Sequence, residues 1–391
     1  MQPRRFVLAA VWILAGVAIL PVFYHWPART PHTGADAYAR TGLGYLAALV
    51  ICWCIYRVET PRLGCRGAFS LAFLVLLLTS ITNNLHGFMI DHGPAVLPFP
   101  NLQWQIAIQD AVIRLDSGAI PHNYRFLPNA IVRWMQVAHI AYEPARDLYR
   151  LIAGLVLFYA IYRYARLYTN HLGATLAMLF TACIFPVSFE HYAGQLTDPL
   201  SHLSFVLALI FLETGDYAAL LATLVIGSLA KESVLAMTGY YLLFCRKENK
   251  YPLKAIGLCG ATAAAYLGVR MLVLKGNLHY GQVSGVTIGH VGENWLDPQW
   301  KPVFLLTAAA LLPFLALAWK ETPLSLKRQA SFLLAALFLS SLFFSWLREA
   351  RNFMPLVVVL SVIAGRYWAE SYGSTADGAR SVSEREAMRG T

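Results

Sequence analysis

The sequence predicts an all-α, polytopic integral membrane protein, a helical bundle, and three features of its composition support this fold class. Hydrophobic residues make up 58% of the 391 residues, charged residues make up only 13%, and the mean hydropathy is +0.52. Soluble domains contain about 25% charged residues. A chain this apolar is expected to form helices that satisfy their own backbone hydrogen bonds within a bilayer.

The net charge of +10 fits the same interpretation. In a membrane protein, Lys and Arg concentrate in cytoplasmic loops, where they meet anionic lipid. Membrane lipid is therefore a predicted partner, whereas nucleic acid is not. The six cysteines fall in predicted spans or at the cytoplasmic face, so we expect neither a disulfide nor a zinc site.

About twelve apolar segments follow one another along the chain, and several are shorter than the roughly 20 residues of a straight span. In order, they cover residues 6–24, 41–56, 68–84, 148–162, 173–188, 199–212, 217–230, 234–245, 255–274, 302–319, 330–346 and 353–368. The first segment follows Arg4 and Arg5 as a signal peptide would. Because no small-residue cleavage site precedes a soluble domain, we interpret it as an uncleaved helix.

These segments suggest three parts of the chain. We expect an N-terminal pair of transmembrane helices at 1–67, a membrane core at 68–371 and a polar, disordered tail at 372–391. Both termini are expected in the cytoplasm, in a multi-pass protein of the plasma membrane, of the bacterial inner-membrane type.

Lys231 and Glu232 interrupt an otherwise uncharged stretch between segments 217–230 and 234–245. A charged side chain at the centre of a spanning helix costs about 3 kcal/mol. A tight hairpin with the pair at its tip avoids this cost, and it returns the basic loop at 246–254 to the cytoplasm, as the positive-inside rule favours. We therefore place the tip at the outer face.

A long outer loop at 85–147 contains two amphipathic patterns. The first begins at Trp104 and ends at Gly118, and the second runs from Asn129 to Ile140. Such helices lie in the membrane interface or form a lid over the bundle. The turn between them carries three residues that we expect to bind substrate: His122, Tyr124 and Arg125.

Other charged groups are expected at the same face. Arg348, Glu349 and Arg351 precede the last apolar segment. Asp198 stands before Pro199, and we interpret it as the N-cap of the next helix. No spacing of His, Asp and Glu matches a metal motif, so we predict no metal site, while a divalent metal ion as a cofactor is left open.

Three segments together resemble the GT-C superfamily of polytopic glycosyltransferases, which use polyprenyl-phosphate sugars. The outer loop carries the pattern Ala111-x-x-Arg114-Leu115-x-Ser117-Gly118-x-x-Pro121-x-x-Tyr124-Arg125-x-x-Pro128. Lys231 and Glu232 resemble the tip of a short helical hairpin in that superfamily. The segment from Arg348 to Leu356 is similar to its charged late motif. The resemblance implies a GT-C-like core, a polyprenyl-phosphate sugar donor, and donor binding by the charged residues of these segments.

The superfamily carries its catalytic aspartate before the loop glycine, at a position that is Gln103 here. Asp36, Asp91 and Asp110 are the nearby carboxylates, and we take Asp91 and Asp110 as the catalytic candidates. A carboxylate would orient and deprotonate the acceptor hydroxyl.

Lys231, Arg348 and Arg351 would hold the departing phosphate. Arg348 and Arg351 stand three residues apart, so on a helical turn they would clamp one anion. The sequence thus predicts sugar transfer from a lipid-phosphate donor to an unknown acceptor at the outer face. A membrane transporter or lipid-binding protein, and a catalytically silent scaffold, are the alternatives. A transporter would show internal repeats, and none is evident.

Overall fold

A computed structural model describes residues 34–92, 102–115, 122–189, 195–246, 248, 250–273, 288–298 and 311–389, and this part of the chain is all-α. The helices are α1 (Gly34–His92), α2 (Leu102–Ile113), α3 (Phe126–Val137), α4 (Tyr142–Ala165), α5 (His171–Ile184), α6 (Thr197–Thr214), α7 (Tyr217–Ser228), α8 (Ala236–Phe244), α9 (Tyr251–Val273), α10 (Ile288–Leu296), α11 (residues 311–318), α12 (Leu324–Phe344) and α13 (Met354–Arg389). Short 3-10 helices lie at His122–Tyr124, Phe185–Phe189, Glu232–Leu235 and Ala350–Phe353.

Six stretches of the described residues are long and apolar enough to cross a membrane, which identifies a multi-pass membrane protein. They are Gly42–Gly87, Tyr142–Ala165, His171–Ser188, Tyr251–Met271, Leu324–Phe344 and Ala350–Ser371. Tyr217–Ser228 is a shorter apolar helix. The predicted apolar segments that lie in the described residues are therefore confirmed as helices, while their number stays a prediction, since residues 302–310 of one segment are not described. The predicted segment 6–24 lies outside the described residues.

The first of these stretches folds back on itself at Gly64. This glycine has φ 69° and ψ 172°, a backbone conformation that is essentially restricted to glycine, and Pro61 precedes it. The thiol of Cys52 lies 3.7 Å from the carbonyl oxygen of Ala72, twenty residues along the chain. The two arms of α1 are therefore antiparallel, and they correspond to the predicted segments 41–56 and 68–84.

The predicted hairpin is formed by α7 and α8. The rings of Tyr217, at the start of α7, and Tyr241, near the end of α8, lie 6.2 Å apart at the base. Lys231 lies at the opposite end, where its ammonium group donates to Asn352 over 2.7 Å. Gly227 allows α7 to pack closely against α6, because a Cβ at position 227 would lie only 2.7 Å from the Cβ of Ser204 on α6. The outer location of the tip stays a prediction.

The apolar core is centred on α4. Leu151, Leu155, Phe158 and Ile161 are at most 1% exposed, and α1, α5 and α6 pack around them. Residues of the first arm of α1, such as Cys52, belong to the same core. The predicted boundary at residue 67, between an N-terminal helix pair and the membrane core, stays a prediction.

The C-terminal tail differs from its prediction. We expected disorder at 372–391, but α13 continues to Arg389.

Candidate functional site

Six charged side chains meet at the end of the bundle that carries the hairpin tip, and we call them the charged cluster. Its members are Arg125, Asp198, Lys231, Glu232, Glu349 and Arg351. They come from the start of α3, the first turn of α6, the hairpin tip and the 3-10 helix before α13. The sequence predicted five of them, and Asp198 is the member whose role it missed.

Asp198 is the carboxylate shared by two cations. One of its oxygens lies 3.3 Å from Nη1 of Arg351, and the other lies 3.7 Å from Nζ of Lys231. The predicted N-cap role is wrong, because Leu196 occupies the cap position and Asp198 makes no capping hydrogen bond. Its side chain reaches the cations instead, since a buried carboxylate is stabilised far more by paired charges than by one backbone amide.

Arg351 is the most enclosed member of the cluster and is 2% exposed. Its Nε and Nη2 donate to one oxygen of Glu349 over 3.2 and 2.9 Å, and its Nη1 donates to Oε1 of Gln195. The ring nitrogen Nε2 of His202 lies 3.0 Å from the backbone carbonyl oxygen of Arg351. Arg351 is thus fixed from α6 and from its own segment.

Lys231 is 5% exposed, and its backbone is extended at the end of α7. Burial and the neighbouring Arg351 lower the pKa of its ammonium group to about 8, although Asp198 opposes this shift. The carbonyl oxygen of Leu229 accepts a hydrogen bond from the amide of Leu127 over 3.0 Å. This bond joins the hairpin tip to α3.

Arg125 and Glu232 form the fourth ion pair of the cluster, with 3.4 Å between Nη2 and Oε1. Burial alone would raise the pKa of Glu232, but the guanidinium of Arg125 outweighs it and the pKa is lowered. Oε2 of Glu232 and Nε of Arg125 are buried without a hydrogen-bond partner among the described residues. These two atoms can therefore bind further groups without breaking existing bonds.

The two other predicted residues of the turn have different positions. His122 lies close enough to Arg125, Arg351 and Glu232 to interact electrostatically. Burial lowers the pKa of His122 to about 3, and the positive charge of Arg125 is the second largest cause. Tyr124 is 2% exposed, and the guanidinium of Arg270 lies 4.2 Å from the centre of its ring. Tyr124 thus packs against Arg270, and its role in substrate binding stays a prediction.

The expected clamp between Arg348 and Arg351 is not formed. Arg348 pairs with Asp297 over 3.2 Å, and it lies 4.7 Å from the ring centre of Trp346. Arg351 points to Asp198 instead. The expectation assumed an α-helical turn, but this segment is a turn followed by a 3-10 helix from Ala350, which separates the two side chains.

The predicted catalytic aspartates lie elsewhere or outside the described side chains. Asp110 pairs with Arg133 over 3.8 Å, and both side chains are more than one-third exposed. Asp91, and Asp36 in the same helix, belong to α1, but their side chains are not among those described. Their catalytic role stays a prediction.

Asn294 on α10 holds the late segment in place. It is fully buried, and its amide nitrogen donates to the carbonyl oxygens of Ser341, Leu342 and Ser345 over 2.9, 3.1 and 2.9 Å. Its Oδ1 accepts from the amide of Leu347 over 2.7 Å. One side chain therefore ends α12 and sets the path of the chain toward the charged cluster.

An apolar groove of about 210 Å³ begins beside the charged cluster and runs between α11, α12 and α13. Ala350 and Phe353, which flank Arg351, line one part, and all the lining residues except Ser331 are apolar. Typical lining residues are Leu315, Leu334, Val357 and Leu360. The groove therefore places an apolar surface next to the segment that carries Arg351.

The described residues contain no group of three or more His, Cys, Asp and Glu side chains that could hold a metal ion. The three carboxylates of the cluster face Arg or Lys instead. Comparisons of the chain with protein-family models, with curated proteins and with solved structures gave no match.

Proposed function

We propose that this protein is a membrane glycosyltransferase that moves a sugar from a lipid-phosphate donor to an acceptor hydroxyl. The observation that supports this function best is that Ala350 and Phe353, on either side of the buried Arg351 in the chain, line the apolar groove. A lipid phosphate has an anionic head and a hydrocarbon chain, and each part finds a complementary surface here. The resemblance of the outer loop, hairpin tip and late segment to GT-C enzymes supports the same class.

The hydrocarbon chain would occupy the groove, where each buried methylene contributes about 0.8 kcal/mol. The phosphate would bind Lys231 and Arg351 through charge-assisted hydrogen bonds. Both cations contact Asp198. Phosphate binding therefore competes with Asp198 and releases this carboxylate from part of its ion pairing.

Asp198 is then the general base of the reaction. The acceptor oxygen forms a bond to the anomeric carbon, while the bond between this carbon and the phosphate oxygen breaks. The acceptor proton passes to Asp198, and the lipid phosphate departs as an anion held by Lys231 and Arg351. We assign this role to Asp198 because, among the aspartates whose side chains are described, it is the one that contacts both phosphate-binding cations.

The test uses the full chain, purified and reconstituted in nanodiscs. Polyprenyl-phosphate sugars are supplied with a lipid extract as the source of acceptor, and mass spectrometry measures the release of polyprenyl phosphate. Asp198→Asn should abolish release, while donor affinity stays equal or increases, because the variant removes a negative charge that competes with the phosphate. Arg351→Ala should reduce donor affinity.

Asp110→Asn is the matched control, since Asp110 pairs with Arg133 at the surface. Full activity of Asp198→Asn together with loss in Asp110→Asn would return the catalytic role to Asp110. Tight donor binding without turnover in the unmodified protein would favour the lipid-binding alternative.

A further inference from the structure

The end of the bundle opposite the charged cluster carries three arginines from two helices, and we call Arg62, Arg163 and Arg166 the arginine patch. Arg62 lies beside the turn of α1, and the other two lie at the end of α4. Near its start, α4 reaches the side of the charged cluster, where Arg150 donates to the carbonyl oxygen of Gln195 over 3.0 Å. The 24 residues of α4 span about 36 Å. Because the hydrocarbon core of a bilayer is about 30 Å thick, the patch lies at the other membrane surface.

Glu59 on α1 draws two of these arginines together. Its Oε1 lies 3.4 Å from Nη1 of Arg62 and 3.4 Å from Nη1 of Arg163. The same oxygen accepts a hydrogen bond from the hydroxyl of Tyr159 over 2.7 Å. Glu59 is 2% exposed, whereas the side chains of Arg62 and Arg163 are 56% and 38% exposed. The carboxylate is therefore a buried anchor from which the two guanidinium groups extend to the surface.

Arg166 extends the patch toward the start of α5. Its side chain is exposed, and Nη1 donates to the carbonyl oxygen of Thr169 over 3.3 Å. The ring of His171, the first residue of α5, interacts electrostatically with both Arg166 and Glu59. The N-terminal end of α5 therefore lies beside the patch, and the partial positive charge of a helix N-terminus adds to that of the arginines.

The patch carries more positive charge than its own carboxylate neutralises. Arg62, Arg163, Arg166 and Glu59 all interact electrostatically with the hydroxyl group of Tyr162, so three positive charges share one place with one negative charge. A guanidinium has five N–H donors. Toward the other described residues, Arg62 and Arg163 each donate from Nη1 alone. The remaining donors can bind phosphate oxygens, for which the geometry of arginine is well suited.

Exposed apolar side chains border the patch. Val58 stands four residues before Arg62, on the same face of α1, and is 49% exposed. Leu167 and Leu172, on either side of the start of α5, are 44% and 47% exposed. In a protein that crosses a membrane, such side chains contact acyl chains. A ligand with both a phosphate and hydrocarbon chains therefore fits this place better than a free phosphate.

We propose that the arginine patch binds the phosphodiester of an anionic phospholipid, whose acyl chains lie along Val58, Leu167 and Leu172. The predicted topology places this face in the cytoplasm, on the side where membranes carry anionic lipid. A phosphate bound by Arg62 and Arg163 together joins α1 to α4 at the membrane surface. The inference is independent of the proposed transferase activity, because the patch and the charged cluster lie at opposite ends of the bundle.

The experiment uses native mass spectrometry of the full chain in detergent to measure the affinity for the most tightly bound lipid. Dioleoyl phosphatidylglycerol and dioleoyl phosphatidylcholine share their acyl chains and a phosphodiester but differ in net charge, and glycerol phosphate lacks the acyl chains. Phosphatidylglycerol should bind about tenfold more tightly than phosphatidylcholine, as expected for two or more basic residues at a membrane surface. Glycerol phosphate should not bind at the same concentrations.

The double variant Arg62→Gln and Arg166→Gln locates the site, because both side chains are exposed. It should lose the preference for phosphatidylglycerol while its unfolding temperature in detergent without lipid stays unchanged. Arg62→Lys with Arg166→Lys should keep most of the preference, since the charge remains. The matched control is Arg246→Gln with Arg328→Gln, which removes two exposed arginines from the same end of the bundle and should keep the preference.

Equal affinities for phosphatidylglycerol and phosphatidylcholine would overturn the proposal. A preference that survives the patch variant would assign anionic lipid to another surface, and an equal loss in the control variant would reduce the effect to the overall positive charge of this face. Binding of glycerol phosphate as tight as that of phosphatidylglycerol would overturn the assignment to a lipid.

Discussion

Asp198 and Arg351 lie 153 residues apart in the chain, yet their side chains form an ion pair of 3.3 Å in a place where both are almost buried. A buried pair of this kind contributes little net stability compared with apolar packing, because each charge loses its hydration. Removing one partner of the pair is nevertheless costly, because the other charge then stays buried without a counter-charge. This asymmetry makes the pair a sensitive position for mutation.

Arg351→Ala should lower the free energy of unfolding by about 3–5 kcal/mol, since it leaves Asp198 and Glu349 without their main counter-charge. Thermal unfolding of the purified protein in detergent measures the change. Arg348→Ala is the matched control, because Arg348 is partly exposed and pairs with Asp297 outside the cluster. Its effect should be about 1 kcal/mol or less. Equal losses in the two variants would contradict the special position of Arg351.

The affinity for a lipid-phosphate sugar should fall as the pH rises through about 8, the lowered pKa of Lys231. The phosphodiester keeps its negative charge, while Lys231 becomes neutral well below the pKa of about 10.4 that a solvated lysine has. Calorimetric titrations between about pH 6.5 and 9.5 measure the profile. The ammonium group interacts electrostatically with four charged neighbours, Arg351, Asp198, Arg125 and Glu349. The pH at the midpoint of the profile therefore depends on these members of the cluster as well as on Lys231.

Lys231→Arg is the control for this pH dependence, because a guanidinium stays charged over the whole range. Its profile should be flat. A profile that still falls near pH 8 in this variant would assign the titration to another group.

Asn294→Ala should destabilise the protein by about 2–3 kcal/mol, because it leaves the amide of Leu347 without its acceptor and removes a donor from the carbonyl oxygens of Ser341, Leu342 and Ser345. It should also weaken donor binding, since the segment before Arg351 loses its anchor. Asn170→Ala provides the comparison. Asn170 accepts one capping hydrogen bond from Gly173 over 2.9 Å, and its loss costs about 1 kcal/mol. Similar unfolding temperatures for both variants would count against Asn294 as the anchor.

Cysteines placed at the two ends of the hairpin bundle should label from opposite sides of the membrane. Gln103 on α2 and Arg246 beyond α8 are both exposed, so each accepts a cysteine without disturbing the core. In a background without the six native cysteines, an impermeant maleimide should reach position 103 from outside and position 246 from the cytoplasm. Labelling of both positions from one side would contradict the predicted topology.

Local patterns made much of the fold predictable. The amphipathic periodicity of the outer loop predicted two helices with His122, Tyr124 and Arg125 between them, and α2, the 3-10 turn and α3 confirm this arrangement. The isolated Lys231 and Glu232 predicted a hairpin with the pair at its tip, and the geometry of α7 and α8 confirms its shape. Helical periodicity and the cost of intramembrane charge both depend on residues that are close together in the chain. A single sequence is therefore enough to recognise them.

Long-range pairing was not predictable in the same way. Asp198 had a sufficient local explanation as a helix cap beside Pro199, and its true partners, Lys231 and Arg351, are remote in sequence. A signal was nevertheless present, because two cations in apolar surroundings require a carboxylate nearby. For Arg348, by contrast, a local pattern predicted a contact that does not form. The spacing of three residues between Arg348 and Arg351 indicates a shared face only if the segment is an α-helix.

The route of the chain through the bundle also has a consequence for how the protein is made. Asp198 and Lys231 are synthesised well before Arg351, which stands at the entrance to α13, the last helix. Until that helix arrives, the early helices carry a carboxylate and an ammonium group whose strongest common partner is missing. The charged cluster is therefore completed only when the chain reaches Arg351, and a protein truncated before α13 would keep the Asp198–Lys231 pair but lack the arginine that also pairs with Asp198.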